Sequence, residues 1–213
     1  MPLYKTITVN PSTKVWIWKI EEPYEELCKG ISLTPHCQAR IEATSSDIHR
    51  RGFMSIRHLL ALEGYADEDL FYDENGKPHL KDGKHISITH SFVFSAIIIS
   101  DLEVGIDIEK QREKILRIAN KFTPLEEYRT LANTEAVIRK LTIVWGGKEA
   151  IYKIYAQRKV SFLQHINITD FNFEDQNTTG KVTFRGKIAE YQLFFLEFED
   201  FTCVYALPKE EKT

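Results

Sequence analysis

Val104-Gly105-Ile106-Asp107-Ile108-Glu109-Lys110 is the stretch from which the rest of the chain is read. Apolar and polar side chains alternate through it with a period of two, the signature of a β-strand. Val104, Ile106 and Ile108 share one face, bound for a core, while Asp107 and Glu109 share the other, about 7 Å apart along the strand. Two carboxylates held that close repel unless a positive group sits between them, and a hard divalent cation is the usual one. A half-buried strand with a solvated acidic edge produces the same pattern and is the commoner outcome. The chain downstream shifts that balance.

There, a helical pattern runs from about Thr134 to Ala156 and contains Trp145-Gly146-Gly147-Lys148-Glu149-Ala150-Ile151-Tyr152-Lys153. Leu141, Trp145, Glu149 and Lys153 recur every four residues and so line one stripe of the helix. Glu149 with Lys153 has the spacing of an ordinary i,i+4 ion pair, worth about 0.3–0.5 kcal/mol on an exposed helix. The tryptophan on the same stripe argues instead for a packed face. Two adjacent glycines inside a helix cost about 1 kcal/mol each relative to alanine. Their presence implies a close approach by a backbone or a ligand, or a kink.

Upstream, Lys14 to Ile20 alternates and is rich in tryptophan, so it reads as the first strand. Glu21 to Gly30 is a short acidic helix or loop. Thr34-Pro35 has the form of a helix entry, a capping residue followed by proline at the first helical position. Ser46 to Gly64 is helical, with Phe53, Met54, Ile56, Leu59, Leu60 and Leu62 on its apolar side. Arg40, Arg50, Arg51 and Arg57 dot this region, either as a solvated face or as a cationic cradle for phosphate. Asn75-Gly76 marks a turn and leads into Lys77-Pro78.

His85 to Ser91 then reads as a short strand and Phe92 to Ser100 as a buried one. Asp101 to Glu103 makes a tight connection, after which Val104 to Lys110 is expected to pair back antiparallel, placing His90 one strand from the acidic pair. A lone histidine is usually structural, but one flanked by Thr89 and Ser91 at a strand end suits an anionic ligand. Ile115 to Phe122 is helical, and Thr123-Pro124-Leu125-Glu126 is a capping box that opens another helix. From Ile166 onward the pattern is all strand: Ile166 to Phe173, Lys181 to Arg185, Tyr191 to Phe198 and Thr202 to Leu207, with a turn at Asn177 to Gly180. The tail from Pro208 is charged and is expected to fray.

With 43% apolar and 28% charged residues in 213, the chain has the make-up of a globular protein and the length of one large domain or two small ones. A formal charge of −3 offers no general nucleic-acid surface. Cys28, Cys37 and Cys203 form no C-x-x-C pair, so they read as reduced thiols and not as a disulfide framework or a zinc site. Met1 to Asn10 lacks the features of a signal peptide, and the apolar run Ala96 to Ile99 is far too short to span a bilayer. The expectation is a soluble, cytoplasmic protein.

Four motifs in this order and spacing carry a resemblance: Gly76-Lys77-Pro78, Ser87-Ile88-Thr89-His90-Ser91, Gly105 to Glu109, and Trp145-x-x-Lys148-Glu149-Ala150 read on to Lys153. From about Pro35 to Phe162 the chain resembles the 4′-phosphopantetheinyl transferases, of the larger, monomeric kind typified by the surfactin-synthetase activator. The resemblance implies an α+β fold of two similar halves related by a pseudo-twofold, with coenzyme A in the cleft between them. The halves would be residues 1–103 and 104–213, the second carrying the metal site. It implies transfer of the 4′-phosphopantetheine group from coenzyme A to a serine hydroxyl of an apo acyl or peptidyl carrier protein, dependent on Mg²⁺ and releasing 3′,5′-ADP. No nucleic acid or membrane would be involved, and the protein would act as a monomer.

Carried over motif by motif, Asp107, Glu109 and Glu149 are the implied magnesium ligands and Lys153 contacts the diphosphate. Glu149, Lys153 and Asp107 form the implied catalytic set, with Glu149 or a magnesium-bound water taking the serine proton. His90 and Lys77 would hold phosphates of coenzyme A, with Pro78, Thr89 and Ser91 beside them. Arg40 is the best match for the 3′-phosphate, with His49 and Arg50 as further candidates. Cys37 stands where relatives often carry another basic residue. An acidic carrier would meet basic residues such as Arg112, Lys114 and Arg117, which are equally a solvated helix face.

Two other classes fit less well. A metal-dependent nuclease of the E-x-K type places its glutamate and lysine two apart on a strand, whereas Glu149 and Lys153 are four apart on a helix. A carrier-binding module without turnover would not need every one of these carboxylates together with His90 and Lys153.

Overall fold

The computed structural model describes residues 3–124, 133–157 and 159–209. The chain divides into two compact units, Met1–Leu102 and Glu103–Thr213, each built of an antiparallel sheet and helices, so the fold is α+β. Among the described residues no helix is long and apolar enough to cross a membrane.

In the first unit, β1 (Leu3–Asn10), β2 (Thr13–Lys19), β3 (Leu70–Tyr72), β4 (Pro78–Leu80), β5 (His85–Ser91) and β6 (Phe94–Ser100) form a sheet in the order β1-β2-β6-β5-β4-β3. The sheet begins one strand earlier than the sequence reading: β1 is an edge strand, half exposed, and its weak apolar alternation hid it. Three helices accompany this sheet: α1 (Tyr24–Leu27), α2 (Pro35–Glu42) and α3 (Asp47–Leu62). Thr34 caps α2 and Ser46 caps α3, their hydroxyls accepting from the amides of Cys37 and His49. The apolar side of α3, with Met54, Ile56, Leu59 and Leu60, joins Trp16, Trp18, Ile97 and Ile99 of the sheet in one core.

The second unit carries β7 (Gly105–Lys110), β8 (Ile166–Ile168), β9 (Asn177–Phe184), β10 (Lys187–Phe198) and β11 (Phe201–Pro208), in the order β7-β11-β10-β9-β8. Strand β7 therefore does not pair back on β6, as expected from the sequence. It pairs with β11, with Asp107 opposite Val204 and Glu109 opposite Thr202. The reason is that β6 lies between β2 and β5 and has no open edge. The inference that set His90 one strand from the acidic pair falls with that pairing.

Helices α4 (Lys114–Ile118), α5 (Thr134–Tyr155) and α6 (Phe162–His165) complete the unit. Leu141, Ile143, Val144, Ile151 and Ile154 of α5 share a core with Val182, Leu193, Phe195 and Val204 of the sheet. Asn133 caps the start of α5 by accepting from the Ala136 amide, and the helix ends at Ala156 in a left-handed conformation, φ 47°. Leu125 and Glu126 of the expected capping box lie outside the described residues.

Two features near the C-terminus differ from expectation. Strand β8 stops at Ile168, and a single 3-10 turn, Phe173–Asp175, follows it. Asn177 to Gly180 is not a turn but the start of β9, the turn being made at Gln176 with φ 52°. Gly180 is needed for packing: a Cβ there would lie 2.4 Å from Ile151 Cδ1 and 2.8 Å from Leu193 Cδ1.

Candidate active site

The chemistry-bearing groups of the second unit meet where α5 lies on β7. Contact is close because Gly105 has no side chain: a Cβ there would stand 1.9 Å from the backbone oxygen of Ala150. The paired glycines of α5 serve the same end, since a Cβ on Gly146 would lie 2.9 Å from Val204 Cγ2 and one on Gly147 would lie 3.2 Å from Leu193 Cδ2. The close approach is to side chains of the sheet. The acidic face of β7 is consequently covered by the helix, and Asp107 is only 6% exposed.

The four-residue stripe of α5 faces this strand. Trp145 Nε1 donates to Glu109 Oε1 at 3.1 Å. Lys153 Nζ donates to Asp107 Oδ1 at 2.8 Å and to the backbone oxygen of Ile106 at 2.7 Å. Lys153 thus directs its ammonium to the strand and not along the helix to Glu149.

The three carboxylates sense one another. Burial pushes the Glu149 carboxyl up to about 7, the Asp107 charge adding to the shift, Lys153 opposing it and Glu109 adding a further upward push. Glu109 is also raised, by burial first and then by Asp107, against the hydrogen bond from Trp145. Three acids with Lys153 as the cation among them leave a site of net negative charge, and carboxylate oxygens are the donors that magnesium takes. Among the described residues, no three or more His, Cys, Asp or Glu side chains are drawn together as a ready-made metal cage. Magnesium is commonly held by one or two carboxylates together with substrate phosphates, and Asp107 and Glu109, side by side on one face of β7, are donors of that kind.

Lys148, inside the same sequence motif, has a different task. It is buried, and its ammonium donates to the backbone oxygens of Phe122 and Phe162, tying the segments on either side of α5 to the helix. Behind the end of β7, Arg139 makes a bidentate pair with Glu197, at 2.9 and 2.7 Å, and Gln111 bonds the same carboxylate at 2.7 Å. Neither arrangement was visible in the sequence, where the partners are far apart.

In the first unit, the exposed His90 ring at the end of β5 packs over Gly52 of α3, where a Cβ would stand 3.1 Å from His90 Cγ. The His49 ring is 5.8 Å from it, so these two histidines come together beside the first turns of α3. Arg50 has its guanidinium 4.5 Å from the Tyr24 ring and 3.5 Å from Asp47, and Arg51 donates to the Ile20 oxygen. Arg40, exposed in the last turn of α2, lies over Phe53 and Tyr72 at 5.6 and 5.7 Å.

Arg57 is unlike these arginines: it is buried and paired with Asp67. Cys37 is also buried, its sulfur accepting from Arg57. Lys77 closes the Asp73 turn through its amide, and Pro78 opens β4. Thr89 is buried and Ser91 half-buried along β5.

Residues 103–206 match the family model of the 4′-phosphopantetheinyl transferase superfamily. Over 111 residues, 48% of this chain, the sequence is 32% identical to the 4′-phosphopantetheinyl transferase psf-1 of Bacillus pumilus, and 47% of that protein is covered. The chain spans about half the length of the curated relative it matches.

Proposed function

We propose that this chain, whose residues 103–206 belong to the 4′-phosphopantetheinyl transferase superfamily, moves the 4′-phosphopantetheine group of coenzyme A onto a serine hydroxyl of an apo acyl or peptidyl carrier protein. The observation that carries this reading is the acidic face of β7 lying under the Trp145–Glu149–Lys153 stripe of α5, within the matched residues.

In the reaction the serine oxygen attacks the β-phosphorus of coenzyme A, the bridging P–O bond breaks, and 3′,5′-ADP leaves. Transfers of this kind need alignment of the reactants and neutralisation of charge more than covalent help from the protein. Magnesium, which Asp107, Glu109 and Glu149 would hold, supplies that neutralisation on the diphosphate when bound.

Lys153 adds a cation already anchored beside Asp107, where it serves the phosphate oxygens as charge builds on them. Glu149, or a water on the magnesium when it is bound, would accept the serine proton. In the first unit, Arg40, His49, Arg50, Lys77 and His90 would hold phosphates of coenzyme A, with Pro78, Thr89 and Ser91 shaping their surroundings. The carrier is acidic, and the exposed Arg112, Lys114 and Arg117 at and before α4 match its charge. The proposed enzyme would act as a monomer in the cytoplasm.

The test is to incubate the protein with apo carrier protein, coenzyme A and magnesium and to measure the intact mass of the carrier. The expected result is a gain the size of one phosphopantetheine, lost with Glu149→Ala and lost on chelation of the metal. A carrier whose mass never changes would overturn the assignment.

A further inference from the structure

The first unit contains a buried charged network that touches none of the groups assigned to chemistry, yet ends at one of those assigned to binding. Arg57 and Asp67 are 3% and 5% exposed. Arg57 Nε donates to Asp67 Oδ1 at 2.9 Å. The other carboxylate oxygen accepts from both the amide and the hydroxyl of Thr34, at 2.8 and 2.9 Å. Thr34 is the N-cap of α2, and its hydroxyl also accepts from the Cys37 amide at 3.4 Å. The guanidinium lies 3.5 Å from the centre of the Phe53 ring and donates to the Phe53 oxygen and to the Cys37 sulfur.

From this hub two routes lead to Arg40. One runs through the cap: α2 has only eight residues, too few to hold its own shape in water, so the helix takes its place from its tethers. Arg40 sits in its last turn. The second route runs through Phe53, whose ring lies against Arg57 and also supports the Arg40 guanidinium at 5.6 Å. Both oxygens of Asp67 and the buried face of Arg57 are engaged internally, which suits them for fixing geometry and not for binding. Cys37 belongs to this frame, so its sulfur faces the hub, while Arg40 is exposed on the same helix.

We propose that Thr34, Arg57 and Asp67 are positioning residues that hold α2, and with it Arg40, in place for the 3′-phosphate of coenzyme A. The inference rests on the transferase reading above and deepens it by separating recognition of the 3′-phosphate from the rest of substrate binding.

The experiment is calorimetric titration of the full chain with 3′,5′-ADP and, separately, with 5′-AMP, which differs from it only in lacking the 3′-phosphate. Thr34→Ala removes the cap and one tether but leaves the Arg57–Asp67 pair intact. It is expected to weaken 3′,5′-ADP binding about five- to tenfold, the size of a lost N-cap, and to leave AMP binding unchanged. Thr34→Ser restores the wild-type preference. Arg40→Ala abolishes the preference, and adding Thr34→Ala to it changes nothing more.

Should Thr34→Ala fail to fold, Phe53→Leu breaks the second route and is expected to give the same selective loss. Equal weakening toward both nucleotides, additive effects of Thr34→Ala and Arg40→Ala, or a preference that survives in Arg40→Ala would overturn the inference. Wild-type protein that loads carrier normally in the mass assay while any of these holds would leave the transferase reading standing. Wild-type protein that loads no carrier would remove that reading itself.

Discussion

Asp67 with Arg57 and Asp107 with Lys153 are the same kind of pair, a carboxylate and a cation joined across two elements, in two different settings. In the first unit the side chains are 1% and 3% exposed, and both carboxylate oxygens are committed to Arg57 and Thr34. In the second unit they are 8% and 29% exposed, and two further carboxylates, Glu109 and Glu149, press on the pair electrostatically. The Asp67 carboxyl is held below its usual range: burial pushes it up, but the bonds from Thr34 and Arg57 outweigh that push. The group around Asp107 does the reverse, raising its neighbours. A pair that satisfies itself is framework, whereas a pair set among unneutralised acids is chemistry waiting for a cation.

The largest expected break of this comparison is Asp67→Ala. Removing one partner of a buried pair leaves a charge uncompensated and costs about 3–5 kcal/mol, measured as a lowered urea midpoint. Asp107→Ala is expected to do the opposite: about a 10²- to 10³-fold loss of turnover, with an unfolding midpoint close to wild type. Equal destabilisation by the two would erase the distinction.

Next in size come two lysines five positions apart on α5. Lys148→Met strands one buried and one half-buried carbonyl and should lower stability by about 1–3 kcal/mol while the folded protein keeps its turnover. Lys153→Met should lose turnover in protein that remains folded. A denaturation curve and a rate assay on each variant read both effects.

The smaller effects sharpen the picture. Because burial and its acidic neighbours raise the Glu149 carboxyl from 4.5 to about 7, the folded state binds the proton more tightly than the unfolded chain does. In metal-free protein, that group's contribution to stability is best at or below pH 4.5, falls as pH rises toward 7, and is flat above. Glu149→Gln should flatten this fall, as read by unfolding midpoints across that range, and should still lose turnover. Smallest of all, Ala156→Gly relieves the left-handed residue that ends α5 and should raise stability by about 1 kcal/mol without changing the rate.

These outcomes bear on what a sequence displays. The stripe of Trp145, Glu149 and Lys153 was legible because helical spacing is local, and so were the cap at Thr34 and the start of a helix near Ser46. The partner of β7 was not, because β11 lies far along the chain and nothing near Asp101 to Glu103 reveals that β6 has both edges occupied. Gly76 read correctly as a turn, with φ 82°, yet Gly180 was misread as one. Gly76 is left-handed with open space around it, whereas Gly180 lies in a strand under Ile151 and Leu193, a contact that its neighbours in sequence do not encode. Arg57 looked like its half-buried neighbours Arg50 and Arg51 on a basic helix, since its burial depends on an aspartate beyond the end of that helix. Composition marks charge, but tertiary contact decides whether that charge is solvent-facing, structural or reactive.

The most direct test of the central claim, that Asp107, Glu109 and Glu149 act together on one divalent ion, is manganese binding followed by electron paramagnetic resonance in the presence of coenzyme A. The account predicts a single ion per chain, with affinity falling about tenfold or more in each of Asp107→Asn, Glu109→Gln and Glu149→Gln. Wild-type affinity in any one of the three would contradict it.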